Sequence, residues 1–137
     1  YIEILDKNKE SFIEATVFNL NGIIGQVIGN GSQNEVILLT DIKSVIPIKS
    51  SKGDFFCNAS GSGKASLVSC TYSHLVWMGE HKIGDLFYSS GLGGVYPKDI
   101  KVGELTSIEI LDSSLTKLEI KLISSPLDTD FFGVVKL

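Results

Sequence analysis

The chain has 137 residues, 43% of them apolar, and a formal net charge of −4. That is enough apolar material for a packed core of one ordinary domain or two small ones, and it excludes a disordered chain. All 12 basic residues are lysine, so the forked guanidinium donors that read phosphates and guanines are missing, and no basic stripe replaces them, which argues against nucleic acid or an anionic membrane surface as partner.

Taken in chain order, the residues read as strand, turn, strand. Phe12–Leu20 is rich in β-branched and aromatic residues and runs into Asn21-Gly22, a strong hairpin signal. A two-residue turn there sets Gly25 opposite Phe18, whose ring would cover the glycine. Gly22–Ile28 follows, then a turn over Gly29–Asn34 and a strand over Glu35–Thr40. Ser44–Lys49 carries Pro47, which assigns it to a sheet edge or strand end. Beyond Lys49–Asp54 come Phe55–Asn58, a glycine-rich turn and Ser66–Tyr72. The later strands are Asp85–Ser89, Gly103–Leu111, Lys117–Ile123 and Phe131–Leu137. In Lys117–Ile123 the residues Leu118, Ile120 and Leu122 alternate with Lys117, Glu119 and Lys121, as in a half-buried strand. Helix is limited to a turn or two near Leu127–Phe131.

About ten or eleven short strands with glycine, serine and asparagine turns indicate an all-β protein. Two small barrels packed together are expected: residues 1–50 the first, 51–137 the second, with Lys49–Asp54 as the boundary. The last strand, near 131–137, either closes the second barrel or returns to the first. The longest apolar runs, Val36–Leu39, Leu75–Met78 and Phe131–Val135, are far shorter than the roughly 20 residues of a membrane-spanning helix. The start at Tyr1, without methionine, reads as a mature or truncated chain whose targeting segment is absent.

Candidate chemistry is thin. Gly61–Ser66, "GSGKAS", lacks the leading glycine and the final Ser or Thr of a phosphate loop, and it joins two strands where that loop opens a helix. A symmetric turn centred between Gly63 and Lys64 sets Cys57 across from Cys70, within the span of a disulfide, the alternative being two unlinked small core residues. With His74 and His81 these cysteines lack the close spacing of a zinc site. A double barrel raises a serine hydrolase, but both histidines lie in the second half and no Gly-Asp-Ser-Gly element occurs. No metal, cofactor or catalytic residue is expected.

Ser89–Pro97, "SSGLGGVYP", has no helix after it to make an anion site. Gly91, Gly93 and Gly94 permit positive φ and Pro97 fixes the far side, so the stretch reads as a structural corner. Asn21 and Gly22 are structural in the same sense.

The order of elements resembles the extracytoplasmic β-domain of the MreC rod shape-determining proteins. The residues that carry the resemblance are Gly22–Val27 "GIIGQV", Val36–Asp41 "VILLTD", Ile46–Ile48 "IPI", Ile83–Leu86 "IGDL", Ser90–Pro97 "SGLGGVYP" and Val102–Leu105 "VGEL". They span about Gly22 to Leu137; Asp6–Leu20 lacks the glycines usual in the family. The resemblance implies a non-enzymatic periplasmic domain of a protein anchored in the inner membrane by an upstream helix. It implies dimers or filaments in the full-length protein. It also implies contact with a class B penicillin-binding transpeptidase and with MreD, RodA and MreB, in service of side-wall peptidoglycan synthesis. An oxidising periplasm would suit a Cys57–Cys70 bridge.

Candidate partner contacts are Trp77, Tyr96 and Phe132, with Leu75 and Phe131 beside them. A second reading is a carbohydrate- or peptidoglycan-binding module in which Trp77, Tyr72 and Tyr88 form a stacking platform. A third, weaker one is a degenerate double-barrel serine hydrolase.

Overall fold

A computed structural model describes residues 2–3, 15–19, 21–30, 33–77, 79–124 and 133–135. The strands are β1 (Ile2–Glu3), β2 (Thr16–Asn19), β3 (Gly22–Asn30), β4 (Gln33–Leu38), β5 (Val45–Ser50), β6 (Phe56–Gly61), β7 (Leu67–Ser73), β8 (Leu86–Ser89), β9 (Lys101–Ile110), β10 (Leu115–Leu122) and β11 (Gly133–Val135). No helix occurs among the described residues. The stretch Leu127–Phe131, expected to hold a helical turn, lies outside them.

Six strands close into a barrel in the order β10-β7-β6-β5-β8-β9. The other five form a sheet in the order β1-β4-β3-β2-β11. So one barrel closes where two were expected; among the described residues the five-stranded sheet has no pairing between its outer strands. The last strand pairs with β2, returning the chain end to the first sheet.

The expected boundary at Lys49–Asp54 joins two strands of the closed barrel. Lys49–Asp54 is the turn between β5 and β6, with the Gly53 amide donating to the Ser50 carbonyl at 2.9 Å. The chain crosses between sheets earlier, in the turn after Leu38, where the Asp41 amide bonds the Leu38 carbonyl and the Ser44 amide bonds the Asp41 carbonyl. The reason lies in β5 itself. Its alternate residues Ile46 and Ile48 are fully buried and pack with Phe87, Leu105, Leu118 and Ile120 inside the barrel. Each such side chain favours burial by roughly 1.5–3 kcal/mol, so this strand belongs with the barrel.

Pro47 sits inside β5 and not at a sheet edge, pairing with Asn58 of β6. Its carbonyl accepts from the Ser90 amide at 3.0 Å, just past Ser89, where the β8 ladder ends. The missing N–H points to that same side, at the end of the β5–β8 ladder, where a missing donor interrupts least.

The first hairpin is also displaced. Asn19 pairs with Gly22, which makes Gly22 the first residue of β3 and leaves the turn to Asn21, whose amide donates to Asn19 Oδ1 at 2.9 Å. A bulge between Val17 and Phe18 then sets Gly25 against Val17. The Phe18 ring covers a different glycine, Gly133 of β11: a Cβ added there would lie 2.4 Å from the ring. Gly22 is required for close approach. A Cβ on it would come within 3.0 Å of the Lys101 carbonyl of β9, where the hairpin meets the barrel. Beside it the Ser124 hydroxyl, buried after β10, donates to Asn19 Oδ1 at 2.6 Å and ties the two sheets together.

Cys57 and Cys70 are joined by a disulfide with Cα atoms 6.3 Å apart. The register that brings them together is not the symmetric one. β6 and β7 pair only at Ser60–Ser69 and Gly61–Val68, two residues off the expected alignment. The ladder stops there, Cys57 pairing onward with Ile48 of β5 and Cys70 with Leu118 of β10. The bridge therefore spans the shortest β ladder of the barrel. Replacing both cysteines by alanine should lower unfolding free energy by about 3 kcal/mol, the loop-entropy value for a closure of this length, measured by urea denaturation.

Candidate functional site

Two regions carry the residues singled out from the sequence: the glycine corner between β8 and β9, and the end of the barrel where the 74–85 segment folds over. At the corner, Gly91, Gly93 and Gly94 all hold positive φ, at 78°, 82° and 72°. A Cβ on Gly91 would lie 2.7 Å from the Cβ of Lys98. Ser89, fully buried, fastens the loop. Its hydroxyl donates to the Pro97 carbonyl and accepts from the Ile100 amide at 3.0 Å, while its own backbone pairs with Ile100 and Asp99. Outside, the Lys49 ammonium pairs with the Asp99 carboxylate, and that hydrogen bond holds Asp99 below its ordinary pKa.

The corner also reaches the first sheet, where the Thr16 hydroxyl donates to the Val95 carbonyl at 3.2 Å. Tyr96 is 2% exposed and packs in the barrel core. Burial pushes its phenol up to about 12, opposed by the Ser44 hydroxyl beside it. Tyr96 is thus a core residue and is not presented for surface contact as expected; the small barrel needed its volume.

At the barrel end, Phe55 is the hub of an aromatic cluster. Its ring centroid lies 4.5 Å from His81, 4.9 Å from Tyr72, 5.4 Å from Trp77 and 6.3 Å from Phe87, each edge-on. Edge-to-face packing sets positive ring edges against negative faces. His81 Nε2 is buried without a hydrogen-bond partner among the described residues. Burial lowers the imidazole pKa, with Asp85 and Asp54 opposing. Over the cluster opens a cleft of 760 Å³, with Trp77 at its wall and Asp54, Glu80, Asp85, Lys52 and Lys82 around it.

His74 is committed elsewhere. Its ring bonds the Thr116 hydroxyl at 2.9 Å and the Ser113 carbonyl at 2.8 Å, and its amide bonds the Ser114 carbonyl. These contacts fix the 74–76 turn against the β9–β10 hairpin, placing the exposed side chains Leu75, Val76, Ile108, Ile110 and Leu111 at one end of the barrel. Among the described residues, neither histidine bonds a serine hydroxyl or a carboxylate, and no three His, Cys, Asp or Glu side chains converge as metal ligands. Trp77 is half-buried at the cleft; Phe132 and Phe131 lie outside the described residues. From the sequence, Ser89 is only the start of the glycine corner, and His81 only a candidate zinc ligand or hydrolase base. A hydroxyl residue directly before the glycine run was the available signal for Ser89, whereas nothing local marked His81 for an aromatic cluster.

Two consequences are measurable. Ser89→Ala removes the partner of two backbone groups, and each buried group left unpaired costs about 1–3 kcal/mol, so the variant should unfold at clearly lower urea. For His81, the unfolded chain takes up its proton near the ordinary value of about 6.5, whereas the folded chain does so only at lower pH. Stability is therefore full above about pH 6.5 and falls as the pH drops toward the folded value. Comparing melting temperatures of wild type and His81→Phe from pH 7.5 downward should show a shallower decline in the variant.

Comparison with known proteins gives a consistent family. The model described as "Rod shape-determining protein MreC, barrel core" matches residues 4–136. The cell shape-determining protein MreC of Haemophilus influenzae is 30% identical over 103 residues, which is 74% of this chain and 29% of that protein. The chain thus spans under a third of the length of that relative. Among solved structures, the complex between penicillin-binding protein PBP2 and MreC from Helicobacter pylori has a TM-score of 0.73 at 18% identity, covering 97% of this chain and 81% of that one. MreC from Pseudomonas aeruginosa has a TM-score of 0.76 at 22% identity, covering 92% and 81%. With the family model matching nearly its whole length, the chain belongs to the MreC family of rod shape-determining proteins.

Proposed function

We propose that this chain is the periplasmic scaffold domain of a cell-elongation protein, and that it acts by docking and not by chemistry. The observation that carries the reading is the likeness, over 97% of this chain, to an MreC solved in complex with a penicillin-binding protein. A class B penicillin-binding transpeptidase is accordingly the partner, and side-wall peptidoglycan synthesis the process. Selective binding to one conformation of that enzyme would shift its population without any reaction on this domain.

In this reading the five-stranded sheet is the first of two barrels packed in the double-barrel manner. Anchoring by an upstream membrane helix, self-association of the longer protein, and contact with MreD, RodA and MreB belong to the same reading and follow from the family resemblance. A disulfide between Cys57 and Cys70 suits an oxidising compartment such as the periplasm. Both histidines being engaged in packing or local hydrogen bonds supports a non-enzymatic role.

The docking surface is the apolar rim around Val76 and Ile110, which are 74% and 75% exposed. Grouped exposed apolar residues of this kind are typical of interaction sites. The purified transpeptidase ectodomain should bind the wild-type domain in calorimetry, and Val76→Asp with Ile110→Asp should weaken binding at least about tenfold, or roughly 1.4 kcal/mol. Because both side chains are solvent-exposed, the melting temperature should hold. Absence of binding by the wild type would sink the scaffold reading.

A further inference from the structure

The cleft over the aromatic cluster shares Val76 at its edge with the docking rim but is otherwise not used by that reading, and its chemistry is distinctive. Its volume of 760 Å³ lies within the range of about 300–1,000 Å³ typical of small-ligand sites. Its wall offers ring surface from the half-buried Trp77 and His81, both held in place by edge-on packing against the buried Phe55 beneath them. Its rim offers both hydrogen-bond acceptors and donors: Glu80 on one hand, Lys52 and Lys82 on the other. None of these three is in an ion pair among the described residues.

We propose that this cleft is a binding site for a neutral oligosaccharide. A sugar ring has an apolar C–H face that packs on an aromatic plane and a periphery of hydroxyls that both donate and accept. The Glu80 carboxylate would accept a charge-assisted hydrogen bond from a sugar hydroxyl, and the lysine ammonium groups would donate to ring and hydroxyl oxygens. Other ligand classes fit less well. An anion meets three carboxylates, Asp54, Glu80 and Asp85, against two lysines. A metal ion needs converging ligands, which are absent among the described residues. An extended peptide adds to a free strand edge, whereas the cleft is walled by the turns after β5 and β7.

The platform differs from the one expected from sequence. Trp77 is part of it, but Tyr72 packs behind Phe55 and Tyr88 lies along β8 opposite Lys49, so neither lines the cleft. Their places are taken by Phe55 and His81.

Trp77 is the only tryptophan in the chain, so emission excited where tyrosine is silent reports on this cleft alone. The intact domain should be titrated with chitotetraose, with cellotetraose and with an unrelated neutral tetrapeptide, each up to about 10 mM, an order above the ~1 mM dissociation constant expected of a shallow open site. Saturable change with either sugar supports the proposal, and the stronger of the two sugars tells whether acetamido groups contribute. Glu80→Ala, at an exposed position, should weaken that sugar about fivefold, the equivalent of one hydrogen bond, while Ile83→Ala should leave it unchanged. No saturable change with either sugar, or a response to the tetrapeptide alone, overturns the proposal. Either result leaves the transpeptidase reading standing, because that reading rests on a different titrant and on Ile110, which lies outside the cleft, as well as on Val76 at its edge.

Discussion

The whole arrangement hangs on the two hydrogen bonds of the Ser89 hydroxyl. A corner with three glycines is cheap to bend but costly to hold, because glycine loses more conformational freedom on folding than any other residue. The Ser89 side chain offsets that cost from inside the core, joining the two ends of the loop through Pro97 and Ile100. With the loop fixed, β8 stays beside β9 and the barrel closes. With the barrel closed, the sheet edges that would otherwise template aggregation disappear from six strands. Tyr96 enters the core from this corner, and the Val95 carbonyl reaches Thr16 of the first sheet. One buried hydroxyl thus serves strand order, core volume and contact between the sheets.

The junction between the sheets is made the same way, by close backbone approach and a few buried polar bonds. Gly22 lies against the Lys101 carbonyl, and Ser124 bonds Asn19 across 105 residues of sequence. Ile23 of β3 and Leu39, in the turn just past β4, belong to the barrel's own apolar cluster, whereas Ala15, Val17, Ile24, Val27 and Val36 form a second one. The adjacent residues Ile23 and Ile24 point to different cores, as the two-residue period of a strand requires. β3 is therefore shared between the two halves, and their relative placement is built into its alternation.

On the docking role proposed above, these features decide what is left on the outside. The histidines are spent on structure: one fixes a turn to a hairpin, the other fills an aromatic cluster. Lysine and carboxylate side chains stay at the rim, and five of the exposed large apolar residues, Leu75, Val76, Ile108, Ile110 and Leu111, lie on the 74–76 turn and the β9–β10 hairpin, while Ile42, Val45, Ile83 and Leu92 are exposed elsewhere. Side chains held by a hydrogen-bonded turn and hairpin lose less entropy on association than free ones.

The residues alone determined the all-β class, the approximate strand positions, the positive-φ glycine turn between β8 and β9 and the family, because each depends on local pattern: two-residue alternation, turn chemistry, and the order of short motifs. The pairing of Cys57 with Cys70 was within reach by assuming a regular hairpin, although the bridge in the structure rests on a different register. What only the tertiary structure decided is nonlocal. Gly22 left the turn because β9 passes close by, Tyr96 went inward because the barrel had a volume to fill, and the Phe18 ring covered Gly133 instead of Gly25 because β11 returns to β2. In each case the deciding atoms sit on a strand distant in sequence, and their free energy of packing outweighs the weaker preference of the local turn.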